Sequence, residues 1–85
     1  MKRVLTRRFT ADFLALPKSL QRLTLAKLEL LEQNLLHPSL RVKKMRGVGD
    51  VFEGSINMSY RFVFEIDGDR LVLLRVGPHK ILEDI

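Results

Sequence analysis

Apolar residues change their spacing near the middle of the chain, and the change separates two kinds of element. From Pro17 to Pro38, in PKSLQRLTLAKLELLEQNLLHP, they recur at three- and four-residue intervals, the pattern of a helix with one buried side. At about 100° per residue, Leu20, Leu23, Leu28, Leu30, Leu31 and Leu35 share an arc of about 160°. Arg22, Glu29 and Gln33 lie opposite, while Leu25 and Leu36 fall outside the arc and are left for solvent or for a further contact surface. Pro17 suits the first turn of this helix and closes the element before it. That element is TADFLAL, residues 10–16, with Thr10 as N-cap, Asp12 in the first turn, and Phe13, Leu14 and Leu16 as apolar contacts. His37, beside Pro38, reads as a cap on the C-terminal end of the longer helix.

Past residue 50 the period shortens to two. In VFEGSINM, Phe52, Ile56 and Met58 point one way and Glu53, Ser55 and Asn57 the other; in YRFVFEI, Tyr60, Phe62, Phe64 and Ile66 share a face. Asp67-Gly68 is a two-residue hairpin signal, and RLVLLRV after it is apolar almost throughout, as a strand covered on both faces would be. The opening KRVLTRRF mixes β-branched and aromatic residues with charges and reads as a short strand. The predicted order is strand, helical hairpin, then a three-stranded antiparallel meander. This is a single α+β domain over residues 1–85, with the hairpin packed on one face of a mostly antiparallel sheet.

The chain has no cysteine, so neither disulfides nor thiolate metal sites can supplement its core. MKRVLTRRF lacks the apolar stretch of about 7–15 residues that a signal peptide needs. No apolar run approaches the ~20 residues that span a bilayer. The expectation is a soluble cytoplasmic protein. Charge is uneven: residues 1–46 hold eleven Lys/Arg against three Asp/Glu, and residues 47–85 hold four against seven. A basic half on so small a domain favours a polyanionic partner, nucleic acid first. Solubility or an acidic protein partner are the alternatives.

Three features carry candidate chemistry. RVKKMRGVGD, residues 41–50, concentrates Lys43, Lys44 and Arg46 where an extended segment would meet phosphates without reading bases. Arg61 lies mid-strand on the face opposite Tyr60 and Phe62, where it needs water, a ligand, or an ion pair with Glu53 or Glu65. Arg75 and His79 flank Gly77-Pro78, which is expected to stop the last strand and let Arg61, Arg75 and His79 line one polar surface. No metal cluster, Gly-rich phosphate loop or Ser-His-Asp spacing is evident, and no cofactor is expected. Arginines, lysines and one histidine suit RNA phosphodiester cleavage, in which the 2′-hydroxyl attacks and the enzyme stabilises phosphorane charge.

The stretch MSYRFVFEIDGDRLVLLRVGPH resembles the RelE/ParE superfamily of toxin–antitoxin toxins. The resemblance lies in the aromatic-Arg pair Tyr60-Arg61, the Asp67-Gly68 turn, and an apolar strand ending Val76-Gly77-Pro78-His79. The helical hairpin and the connection NLLHPSLRVKKMRG extend the likeness over essentially the whole chain. It implies a RelE-type mRNA interferase, a ribosome-dependent endoribonuclease neutralised by a cognate antitoxin. Arg61 would stabilise phosphate charge and His79 would act as acid or base. Lys43, Lys44, Arg46 and Arg75 would contact mRNA and rRNA. The antitoxin is expected on the exposed leucines of the second helix and on the sheet edges. VFEGSIN carries no cation and ILEDI no aromatic residue, so two alternatives stand beside this one. One is a ParE-like toxin that inhibits DNA gyrase without nuclease chemistry. The other is a relative that keeps only RNA and antitoxin binding.

Overall fold

In the computed structural model, which describes residues 1–47 and 49–84, strand β1 (Lys2–Leu5) leads into helices α1 (Arg7–Leu14) and α2 (Lys18–Gln33). A 3₁₀ turn (Pro38–Leu40) follows, then strands β2 (Lys43–Lys44), β3 (Val51–Ser55), β4 (Tyr60–Asp67) and β5 (Arg70–Pro78), and a C-terminal 3₁₀ helix (His79–Asp84). Val48 and Ile85, which belong to the basic segment and the tail discussed above, lie outside the described residues. The strands form one sheet in the order β1-β5-β4-β3-β2, with β1 parallel to β5 and every other pair antiparallel. The α+β architecture is therefore the expected one, with the edge strand β2 added from the basic segment.

The faces follow the alternation. Phe62 and Phe64 of β4, Leu71, Leu73 and Val76 of β5, and Ile56 join Phe9, Leu28, Leu31 and Leu40 in the main core. Leu20, Leu23, Leu30 and Leu35 pack around it; Leu25 stays exposed, as the helical arc requires, and Leu36 is exposed past the helix end at Gln33. Met58, expected on the same face as Phe52 and Ile56, is instead 91% exposed, because β3 ends at Ser55 and the chain turns. The outer face has its own apolar cluster of Val51, Val63 and Ile81, with Met45, Leu74 and Leu82 against it. A bulge between Val63 and Phe64 shifts the register so that Leu74 joins this cluster while Leu73 and Val76 face the hairpin.

Several boundaries differ from the sequence reading, each for a local reason. Thr6, not Thr10, caps α1: its hydroxyl accepts from the Phe9 amide at 3.2 Å and donates to the Leu73 carbonyl at 2.8 Å. Arg7, Arg8 and Phe9 are consequently helical, and Phe9 is buried. The helix α2 stops at Gln33, and His37 caps the 3₁₀ turn after it, its Nδ1 accepting from the Ser39 amide at 3.2 Å. The hairpin turn is Gly68-Asp69, one residue later than Asp67-Gly68, because Asp67 pairs with Arg70 and Gly68 supplies a φ of +62°. Pairing on β5 runs through Pro78, which lies opposite Tyr60.

Asp12 also takes a different part. It sits midway along α1, where its Oδ2 accepts from Arg75 Nε at 2.7 Å and from the Val76 amide at 3.2 Å. On the β1 side of β5 no strand continues past Leu5 among the described residues, and this carboxylate satisfies an amide that such a strand would otherwise bond. The pair is 13% and 15% exposed, so removing one partner strands a largely desolvated group. Asp12→Ala is expected to lower unfolding stability by about 2 kcal/mol in urea titrations. Arg75→Met should cost clearly less, since it leaves the carboxylate bonded to the Val76 amide. Equal losses would show that the amide bond contributes nothing.

Candidate nucleic-acid interface

Four carbonyls at the β3–β4 turn organise the site. Asn57 Oδ1 accepts from the Ser59 and Tyr60 amides, each at 2.8 Å, and the Ile56 amide reaches the Tyr60 carbonyl at 3.0 Å. This Asx turn presents its remaining carbonyls outward. Arg61, opposite Ser55 and Gly77 in the sheet, folds its guanidinium over them. Its Nη1 donates to the carbonyls of Asn57 at 2.6 Å, Met58 at 3.1 Å and Tyr60 at 3.1 Å. The His79 amide takes the carbonyl between, donating to Ser59 at 2.9 Å. Arg61 and His79 are thus tied to one four-residue turn, with the His79 side chain exposed. Among the described residues, Nε and Nη2 of Arg61 have no hydrogen-bond partner, so that side of the guanidinium fork is open to a phosphate.

The other candidates are placed less uniformly. Lys43 lies opposite Glu53, which puts it on the same face as Ser55 and Arg61; its Nζ is 3.8 Å from Glu53 Oε1. Lys44 lies opposite Phe52 on the other face and meets Asp50 at 3.5 Å. Both lysines are well exposed, so these pairs are weak and do not hold the charges back from a polyanion. Arg46 is exposed in the turn that follows. Arg75 is separate: committed to Asp12 and largely buried, it lies away from the depression that Arg61 lines. Of the expected surface of Arg61, Arg75 and His79, Arg75 lies elsewhere, and the other two share the β3–β4 turn, Arg61 through its guanidinium and His79 through its backbone amide.

The structure adds two cations that were not among the candidate site residues. Lys27 from α2 and Arg41 from the connection line a depression of about 230 Å³ with Arg61, Ser39, Ser55 and Asn57. Nothing in the local pattern marks Lys27, and only the return of the 3₁₀ turn toward α2 brings it to the strand arginine. Arg41 carried one signal, its place in the basic segment.

This order of elements, with the helical hairpin on a five-stranded sheet, is the fold seen in solved toxins of the RelE and YoeB/ParE kinds. A copper-bound point mutant of a toxin from Helicobacter pylori superposes with a TM-score of 0.73 at 26% identity, covering 96% of this chain and 98% of that one. A YoeB/ParE toxin from Agrobacterium tumefaciens gives 0.80 at 16% identity over 93% and 99%. The RelB–RelE antitoxin–toxin complex from Methanococcus jannaschii gives 0.72 at 24% identity over 95% of each. No family model matches the sequence, and no curated protein matches it. Among the described residues no helix is long and apolar enough to cross a membrane.

Proposed function

We propose that this protein is the toxin of a toxin–antitoxin pair, held by a cognate antitoxin, and that it cleaves mRNA on the ribosome. The observation that carries the reading is the shared turn: the Arg61 guanidinium and the His79 backbone amide bond neighbouring carbonyls at the open end of the sheet, and Nε and Nη2 of Arg61 are without a partner among the described residues. A phosphate placed there meets an arginine that can take up phosphorane charge and a histidine that can move a proton, with the 2′-hydroxyl as nucleophile. Lys43 and Arg46 then lie along the outgoing RNA backbone, and Lys44 serves rRNA from the other face of β2. Structural neighbours crystallised with RelB and YefM antitoxins support the antitoxin as partner.

The test is cleavage of mRNA on programmed ribosomes by the purified protein, alongside Arg61→Ala and His79→Ala. Cleavage by the parent and its loss in both variants is expected. Equal cleavage by all three sinks the assignment. One observation favours a non-nuclease, gyrase-directed toxin instead: at the outer-face position of β3 the chain carries the acidic Glu53 and no cation, and the face beside it is apolar. Inhibition of DNA supercoiling with translation untouched would establish that second reading.

A further inference from the structure

Six cations of the chain meet a carboxylate: Arg3, Arg8, Lys43, Lys44, Arg70 and Arg75. Lys27, Arg41 and Arg61 meet none among the described residues, yet they converge on one depression. Three unneutralised cations facing one concavity repel one another, and an anion relieves that repulsion. We propose that this depression binds a backbone phosphate of single-stranded RNA through Lys27 and Arg41, as an anchor next to the phosphate that Arg61 takes at its edge. The assignment rests on the RNA reading above and adds a place where the strand is gripped.

The local chemistry fits a phosphodiester. Lys27 Nζ donates to Ser39 Oγ at 3.4 Å, and Ser39 Oγ is 2.9 Å from His37 Nδ1. The Ser39 amide donates to Nδ1 and its hydroxyl lies against the same ring nitrogen, so the hydroxyl oxygen is held in place to accept from the lysine. The ammonium is thereby tethered over the connection with two protons left for a ligand. Arg41 adopts φ +47° and ψ +45°, the sole non-glycine positive φ among the described residues. A left-handed arginine is disfavoured where glycine would be relaxed, and such positions concentrate at ligand sites. Met58, 91% exposed at the rim, gives the adjoining base an apolar surface to rest on.

Binding of a fluorescent single-stranded RNA oligonucleotide, followed by anisotropy over a range of salt, tests the site apart from ribosome and cleavage. Arg41→Gly removes the cation while suiting the backbone, so a folding defect cannot account for its effect. Arg41→Gly and Lys27→Gln are each expected to weaken binding by about five- to ten-fold and to lower the salt slope by about one. Lys18→Gln, at the far end of α2, should change affinity less than two-fold. Parent-like binding by both site variants, an equal loss with Lys18→Gln, or no RNA binding by the parent overturns the proposal. So does saturation of the site by inorganic phosphate, seen as amide shifts at Ser39 and Asn57, without competition against RNA. A parent that binds RNA through Lys27 and Arg41 but leaves ribosomal mRNA intact refutes the nuclease reading and keeps the anchor. A parent that cleaves while its site variants bind RNA normally does the reverse.

Discussion

Arg61→Ala should lower the rate of ribosome-dependent mRNA cleavage by about 10²–10³-fold, the usual loss when one preorganised donor to a transition-state oxyanion is removed. The size of the effect comes from preorganisation. Free in solution an arginine would have to be oriented during the reaction; here Nη1 is held by three turn carbonyls, so Nε and Nη2 are aimed before substrate arrives. Arg61→Lys keeps the charge and loses the fork, and its rate should fall between parent and alanine. The same three bonds raise the objection that Arg61→Ala merely loosens the turn. Asn57 Oδ1 and the Ile56–Tyr60 backbone bond hold that turn without Arg61, so the thermal midpoint of the variant should stay within a few degrees of the parent. A parent-like rate in a variant of parent-like midpoint would remove Arg61 from the chemistry.

What was legible beforehand follows the range of the forces involved. The helix α2 and the strands β4 and β5 repeat their period long enough that burial alone fixes their faces, and Phe62, Phe64, Leu28 and Leu31 fall where the pattern puts them. The start of α1 was not legible. Thr6 and Thr10 are equally good caps locally, and Thr6 prevails because its hydroxyl and amide both reach Leu73, a residue 67 positions away. Arg75 was misplaced for the same reason, since its partner Asp12 is 63 residues distant. Arg61 and His79 could be singled out because strand period and a Gly-Pro stop are local signals. That both hang on one turn depends on the register of β4 against β5, and the approach of Lys27 and Arg41 depends on how the connection folds back. Distant partners decide the site, while local period decides the scaffold.

Gly54→Ala should destabilise the domain by about 3 kcal/mol, and Gly54→Val should leave it unfolded, outcomes that urea titration and circular dichroism would record. Gly54 faces Phe62 across β3 and β4, and a Cβ there would lie 2.3 Å from Phe62 Cζ and 2.6 Å from Cε1. The phenyl ring occupies the space of the missing side chain. It has no easy retreat: Phe62 is fully buried, and its ring centroid is 5.7 Å from Phe64, itself 5.5 Å from Phe52. Phe62→Leu shortens the obstructing group, so the double variant should be more stable than the two single losses summed, by about 1 kcal/mol or more. Additive losses would mean that the clash is relieved by backbone movement and not by the ring. The consequence reaches the site, because Ser55, next after Gly54, pairs with Arg61, and Asn57 builds the turn that holds it. Gly54→Ala should therefore impair cleavage beyond what its unfolded fraction explains, and Phe62→Leu should restore activity together with stability.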